Sequence, residues 1–277
     1  MVDRILLLVD LSNISYKSSA AHSTLFSSDG EFTGGLYGFI GALAKAIDAT
    51  GATHVCICED HRPYRRSKLY PEYKQIRAVS KDKELASKVT TTVEQIRKLC
   101  EVTGWPIWAV AEFEADDLIG HATIQYRHRF KRVVAMSGDS DLYQLFKWEH
   151  FEMFKGKHGI YRYEDYLKEW RGLPPSKLVM ALALTGTHND VEGIHGVGPV
   201  TAIHAMNNPE HLETLVKLHA EMFARNMELI VLPHKDFPKT EQIPLKGFYD
   251  ERALQRFCAR FDIQLQHWQA ENFERVK

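Results

Sequence analysis

The sequence predicts an α/β fold in which a parallel sheet is covered by helices on both faces and is followed by a helical C-terminal region. Three observations carry that prediction. Short apolar runs alternate with amphipathic stretches through the first 155 residues, the pattern of strand–helix–strand units. Acidic residues recur just past the ends of the apolar runs, where open parallel sheets place their active sites. Beyond Arg171 the pattern turns helical and includes a glycine-rich stretch.

Taken in order, residues 5–9 (Ile-Leu-Leu-Leu-Val) read as a buried first strand; the run is too short, and too soon followed by an acid, for a signal peptide. Residues 36–49 carry a helical pattern, and residues 54–58 form a second strand in which Cys56 and Cys58 alternate as core residues would. A helix over 86–103, a strand over 106–110, a helix over 115–128, a strand over 132–136, a short helix over 141–146 and a strand over 151–154 follow. Pro174-Pro175 opens a helix running to Leu184, and helical segments around 209–226 and 250–261 complete the chain. The sharpest boundary, at Arg171-Gly172-Leu173, divides residues 1–171 from 172–277, with the second part packing on the first. At 277 residues and 44% hydrophobic, the chain suffices for one catalytic domain and a small appendage. No run of about 18 apolar residues is present, so no membrane-spanning helix is expected. The four cysteines (Cys56, Cys58, Cys100, Cys258) lack metal-ligand spacing and read as reduced, buried thiols of a cytoplasmic protein.

Four predicted strands deliver seven carboxylates to one rim. Asp10 directly follows the first strand and Asp60 the second; Glu114, Asp116 and Asp117 come after the third and open a helix; Asp139 and Asp141 follow the fourth. Each has an ordinary explanation, since acids favour the first turn of a helix and Asp serves as an N-cap or turn residue. Their convergence after four strands is what those explanations leave over. Gathered carboxylates raise one another's pKa, so a cluster requires cations. Without Cys, or a His pair at ligand spacing, the donors suit hard oxygen-seeking ions, Mg2+ or Mn2+, rather than Zn2+. Two such ions about 3.5–4 Å apart activate water and stabilise the leaving oxygen in phosphodiester hydrolysis. Glu114 and Asp117 share one helix face at i, i+3, while Asp116 projects differently.

The formal net charge of −1 hides an asymmetry: residues 62–98 hold eleven Lys/Arg against four Asp/Glu, so this segment carries +7 and the rest of the chain −8. Such a segment is either a solvated helix face or a phosphate-binding surface beside a metal site. Within residues 65–77 the cations mix with tyrosines, suiting phosphate clamping and base stacking. Gly193-Ile194-His195-Gly196-Val197-Gly198 gives a tight turn before a helix, either a plain loop or a phosphate site built of backbone amides; no strand precedes it, which excludes a dinucleotide-binding fingerprint.

Together these residues resemble the 5′-to-3′ exonuclease and flap endonuclease family, with its PIN-like nuclease core, over nearly the whole chain. The matching pieces are Val9-Asp10-Leu11-Ser12-Asn13; Asp60 followed by Arg66 and Tyr73-Lys74-x-x-Arg77; residues 114–120 (Glu-Ala-Asp-Asp-Leu-Ile-Gly); residues 137–141 (Ser-Gly-Asp-Ser-Asp); and a helix-hairpin-helix from Gly193 to Ala202. The resemblance implies a PIN-like nuclease core over 1–171, with a helical arch over about 62–98, and a helix-hairpin-helix region over 172–277. It implies hydrolysis of 5′ ends and 5′ flaps of branched or nicked DNA by a stand-alone monomer in a bacterial cell or phage-infected host. Asp10, Asp60, Glu114, Asp116, Asp139 and Asp141 would organise the metals, with Asp117 in or near their shell. Lys74 and Arg77 would contact the scissile phosphate, and Arg66 and Tyr73 the DNA, Tyr73 by stacking. Gly193, Gly196, Gly198 and Thr201 would meet the duplex, and the carbonyls of Glu192, Ile194 and Val197 would hold a K+ ion.

One departure stands out. The family places Gly-Asp-x-x-Asp-Asn before the hairpin, whereas residues 186–191 read Gly-Thr-His-Asn-Asp-Val. Thr187 stands where the first Asp is expected, and a hydroxyl replaces a carboxylate poorly on a hard cation. The expectation is a full first metal site on Asp10, Asp60, Glu114, Asp116 and Asp139, and a thinned second one on Asp117, Asp141 and Asp190. A branched-DNA-binding protein with weakened catalysis is the alternative, and an RNA-directed PIN-type ribonuclease a third reading, against which the helix-hairpin-helix argues.

Overall fold

The computed structural model describes residues 3–74, 82–187, 191–244 and 249–276. Six strands form one sheet: β1 (Ile5–Asp10), β2 (His54–Glu59), β3 (Ile107–Ala109), β4 (Arg132–Met136), β5 (Phe151–Phe154) and β6 (Ile160–Tyr161). Their order is β3-β2-β1-β4-β5-β6. All neighbours are parallel except the last pair, β5 and β6.

Central β1 explains why its sequence lacks alternation: all six of its residues are buried, because helices cover both faces of a parallel sheet. Leu6 and Leu8 enter one core with Cys56, Cys58 and Val133, while Leu7 and Val9 enter the other with Val55, Ile57 and Val134. Burying each leucine contributes about 1.5–3 kcal/mol, and a charge inside the strand would reverse that gain. Polar chemistry is thereby confined to the strand ends.

The five expected strands are present, with no end shifted by more than one residue. The helix Leu11–Ala21 was not legible, being rich in serine. It forms because the Asp10 side chain caps it, accepting from the Asn13 N–H at 3.0 Å, and because Ser15, Ser18 and Ser19 are small enough to bury beside the helix Gly34–Thr50. The pattern over 209–226 resolves into two helices, Pro209–Leu218 and Ala220–Ile230, parted at His219.

The basic segment, where an arch is expected, is described in two parts. Arg65–Leu69 is a short helix, and Lys83–Thr103 is a long one whose Thr92, Gln95, Ile96 and Leu99 are buried, since that stretch repeats apolar residues at helical spacing. The C-terminal half of that helix packs on the helices Leu11–Ala21 and Gly34–Thr50; residues 75–81 lie outside the described residues. The chain beyond Arg171 divides between the faces. Leu173 through Ile243 contributes to the first core, whereas the helices Glu251–Arg260 and His267–Glu274 supply Leu254, Cys258 and Phe273 to the second. All four cysteines are free and buried. Among the described residues no helix is long and apolar enough to cross a membrane.

Candidate metal and nucleic-acid site

The strand order reverses direction at β1: β2 and β3 extend to one side, β4 and β5 to the other. A crevice opens at such a switch point, beyond the carboxyl ends of the strands. Asp10 ends β1, and Asp139 follows β4 as the N-cap of a 3-10 helix, Ser140–Lys147, accepting from the Asp141 N–H at 3.0 Å. Asp60 follows β2, and Asp116 stands in the first turn of the helix Ala115–Gln125. Asp10 is 5% exposed and accepts from the Ser137 hydroxyl at 2.8 Å. Asp60 accepts from the Ser12 hydroxyl at 2.7 Å and from the Ala115 N–H at 2.8 Å, which fastens the second acid to the start of the helix bearing the third.

These carboxyls press on one another. Burial, then the charge of Asp60, and more weakly that of Asp139, push the Asp10 pKa up to about 7. Burial followed by the charges of Asp139 and Asp10 pushes Asp116 well above the usual carboxylate range. Among the described residues no three Asp, Glu, His or Cys side chains are already drawn close enough to enclose an ion, so the expected complete first site is not preformed. Acids whose ionisation is opposed by burial and by one another are the donor set a divalent cation would stabilise, and in that sense the residues fit one.

One expected metal ligand, Asp117, has another duty, and Glu114 shares part of it. Asp117 is fully buried and its carboxylate takes both amino groups of Arg66, at 2.5 and 2.8 Å, together with the His234 N–H at 2.7 Å. The shared helix face of Glu114 and Asp117, legible from the spacing, is turned towards Arg66 rather than the crevice, so Asp117 is an ion-pair partner. Glu114, 2% exposed, lies between: it accepts from Arg66 at 3.1 Å, from the Tyr73 hydroxyl at 3.1 Å and from Lys74, while its charge is felt by Asp116.

The basic segment is corrected in the same way. Arg66, 3% exposed, and Tyr73, 8% exposed, are buried around the carboxylates of Glu114 and Asp117, so neither presents itself to DNA. Lys74 does reach the crevice. Burial works against its charge, but Glu114, Tyr73, Asp60 and Asp116 more than offset this and hold its ammonium well above the ordinary value. Its backbone has φ +60°, a strained conformation for a lysine, and its ammonium lies 5.3 and 5.2 Å from the rings of Tyr64 and Tyr73. Arg77 lies outside the described residues.

On the opposite side sits Lys17, which the sequence reading missed. A Cβ on Gly138 would collide with its ammonium. Its pKa is lowered by partial burial, against the pull of Asp10 and Asp139 and with the push of Lys155. Asn13 also went unassigned; its side-chain oxygen accepts from the Gly138 N–H at 3.1 Å. The signal was present, because an Asp cap followed at three and seven residues by Asn and Lys places both on one helix face beside the capped end. Beyond Asp60 an open cleft of about 440 Å³ is lined by Ser12, His61, Arg62, Tyr64 and Arg97 among others.

The glycine-rich stretch forms a hairpin between the helices Pro175–Thr185 and Pro199–Asn207. Gly186–Thr187 (β7) pairs antiparallel with Val191–Glu192 (β8), Thr187 standing opposite Val191; Asp190 lies outside the described residues. The glycines serve different ends. A Cβ on Gly193 would overlap the Thr185 carbonyl, so this glycine permits close packing rather than meeting DNA. Gly196 has φ +79°, and an added Cβ at Gly196 or Gly198 would meet nothing within 4 Å. Val200 is 59% exposed, and Thr201 is half-buried in the same first turn. Of the expected cation-holding carbonyls, Glu192 accepts from Asn226 Nδ2 at 2.7 Å and Ile194 from the Val197 N–H at 3.0 Å, each keeping a second lone pair.

A family described as "5′-3′ exonuclease, N-terminal resolvase-like domain" matches residues 5–171, more than half of the chain. The protein is an α/β nuclease, and it belongs to that 5′-3′ exonuclease family. It is similar to the 5′-3′ exonuclease of Aquifex aeolicus, 27% identical over 262 residues covering 94% of this chain and 84% of the relative. It is also similar to the thermostable DNA polymerase I of Thermus thermophilus, 30% identical over 277 residues covering 93% of this chain but only 32% of the polymerase. Among solved structures, the T5 5′-exonuclease with bound divalent metal ions (zinc) superposes with a TM-score of 0.72 at 17% identity, covering 93% of this chain and 98% of that one. Flap endonuclease-1 of Methanococcus jannaschii gives 0.63 at 15% identity, covering 98% and 90%. At such identities the structural likeness establishes the fold.

Proposed function

We propose that the protein is a structure-specific 5′ nuclease, acting as a monomer, which hydrolyses phosphodiester bonds at the 5′ ends and 5′ flaps of branched or nicked DNA with Mg2+ or Mn2+. The observation that carries this is the meeting of Asp10, Asp60, Asp116 and Asp139 at the switch point of a 5′-3′ exonuclease fold, with a lysine on either side. Asp10, Asp60, Glu114, Asp116, Asp139 and Asp141 would hold the divalent ions, which when bound polarise phosphoryl oxygens and make water a stronger nucleophile.

The protein's own groups do the rest. Lys74, kept charged by Glu114, and Lys17, beside Asp10 and Asp139, offer ammonium groups to non-bridging phosphate oxygens from opposite sides. The first-turn amides of Val200 and Thr201 have no acceptor within their own helix, and with the open backbone at Gly196 and Gly198 they would hold a duplex phosphate without reading bases. A K+ ion on the carbonyls of Glu192, Ile194 and Val197 would strengthen that hold. A T5 flap endonuclease occurs in a pseudo-enzyme-product complex with DNA and metal ions, and that likeness supports DNA as the substrate.

The test is cleavage of 5′-flap and nicked duplexes, with RNA flaps alongside. Mg2+-dependent release of 5′ products, lost in Asp139→Ala, is expected. Absence of cleavage with Mg2+ or Mn2+, and no change in Asp139→Ala, would overturn the reading.

A further inference from the structure

One continuous piece of chain, residues 226–234, runs from the hairpin to the carboxylate rim: it is the end of the helix Ala220–Ile230 and the turn after it. At the hairpin end, fully buried Asn226 donates from Nδ2 to the carbonyls of Ala183 at 3.0 Å and Glu192 at 2.7 Å, gripping the first helix of the hairpin and its returning strand together. In the middle, fully buried Gln144 accepts from the Leu232 N–H at 2.8 Å and donates from Nε2 to the carbonyls of Ile230 at 3.0 Å and Asp141 at 2.9 Å. At the rim end, Arg66 donates to the carbonyls of Leu229 at 2.6 Å and Val231 at 3.2 Å, while the same guanidinium holds Glu114 and Asp117.

Buried backbone carbonyls need donors wherever they occur, and that alone explains any one of these bonds. It does not explain why two of the three gripping side chains also bond a residue of the acidic rim: Arg66 the carboxylate of Glu114, and Gln144 the backbone of Asp141. A displacement of the segment would have to break those bonds or carry the acids with it.

We propose that residues 226–234 are a rigid spacer that fixes the hairpin's distance from the rim and so determines the nucleotide at which the strand is cut, with Asn226 and Arg66 as its positioning residues. The inference rests on the reading that the hairpin holds the duplex. Successive phosphates of one strand lie about 3.4 Å apart along the DNA axis, so a hairpin free to slide by that amount relocates the cut by one nucleotide.

The experiment maps products of a 5′-flap duplex at single-nucleotide resolution for wild type, Asn226→Ala and Arg66→Lys, with thermal melts, Mg2+-binding titrations and binding to an unflapped duplex measured in parallel. Wild type is expected to give one dominant cut. Asn226→Ala should spread it to positions one nucleotide away while Mg2+ binding is kept, and Arg66→Lys, which loses the planar fork, should spread it and also weaken Mg2+ binding through Glu114. The cut distribution comes only from folded, active molecules, so partial unfolding lowers yield without moving it. If both variants keep the wild-type position while binding unflapped duplex normally, the spacer is refuted and the hairpin reading stands. If Gly196→Val, at the exposed turn, fails to weaken duplex binding, the hairpin reading falls and the inference with it.

Discussion

Two neighbouring acids, Asp116 and Asp117, stand in the first turn of one helix and meet opposite surroundings. Asp117 finds a buried arginine whose fork satisfies both its oxygens. Asp116, its immediate neighbour, finds Asp139 and Asp10, and its pKa climbs. A fold able to bury Arg66 beside one carboxylate has shown how it neutralises acids that need only neutralising. The rim acids are instead arranged so that their mutual repulsion remains to be relieved from outside. Standing just past a strand end is therefore not enough to make an acid a metal ligand; what its oxygens already hold decides.

The contrast can be broken by mutation. Asp139→Ala at the rim should lower single-turnover cleavage by on the order of 10²–10³-fold with little loss of melting temperature; a fall in stability without loss of rate would reverse the assignment. Asp117→Ala should do the opposite first, stranding a buried guanidinium at a cost of about 3–5 kcal/mol, read as a lower melting temperature in the metal-free protein. An unchanged melt would mean that Arg66 finds other partners and that the two surroundings are less different than they look.

The pH dependence sharpens the comparison. Asp10 has a folded-state pKa of about 7, above its ordinary 3.8, so its contribution to stability is fully present below that lower value and is lost as pH rises through 7. Metal-free Asp10→Asn should thus gain in melting temperature over wild type as pH is taken from 5 to 8, and added Mg2+ should stabilise wild type more at pH 8 than at pH 5. A difference independent of pH would remove the strain ascribed to the rim. The smallest effect expected is for Lys17→Ala: weaker DNA binding across sequences, with a salt-dependence slope reduced by about 1.

The sheet and its acidic rim were legible because central parallel strands write themselves as unbroken apolar runs, and Asp10, Asp60 and Asp139 each stand just after one. The helix Leu11–Ala21 was not, since its buried face is built of serines that only pack because Gly35 and Gly38 lie opposite them. Arg66 and Tyr73 were read as DNA-facing because charge and aromaticity in a basic segment resemble a binding surface. Arg66 is held by the carbonyls of Leu229 and Val231, more than 150 residues later, and Tyr73 by the carboxylate of Glu114; no local pattern announces such partners. Lys74 was placed beside the acids because its segment follows Asp60 at the end of β2, and its ammonium does meet Glu114.

The division of the C-terminal chain between both faces bears on how the molecule is made. β1 leaves the ribosome well before Leu254, Cys258, Phe261 and Phe273, which complete the core beneath its Leu7 and Val9. Until those arrive, the apolar side of Gly34–Thr50, including the contact that His267–Glu274 makes with it, stays uncovered, and exposed apolar surface on a nascent chain favours aggregation or chaperone capture. Deleting residues 250–277 should therefore yield an insoluble or chaperone-bound product although every rim acid is retained.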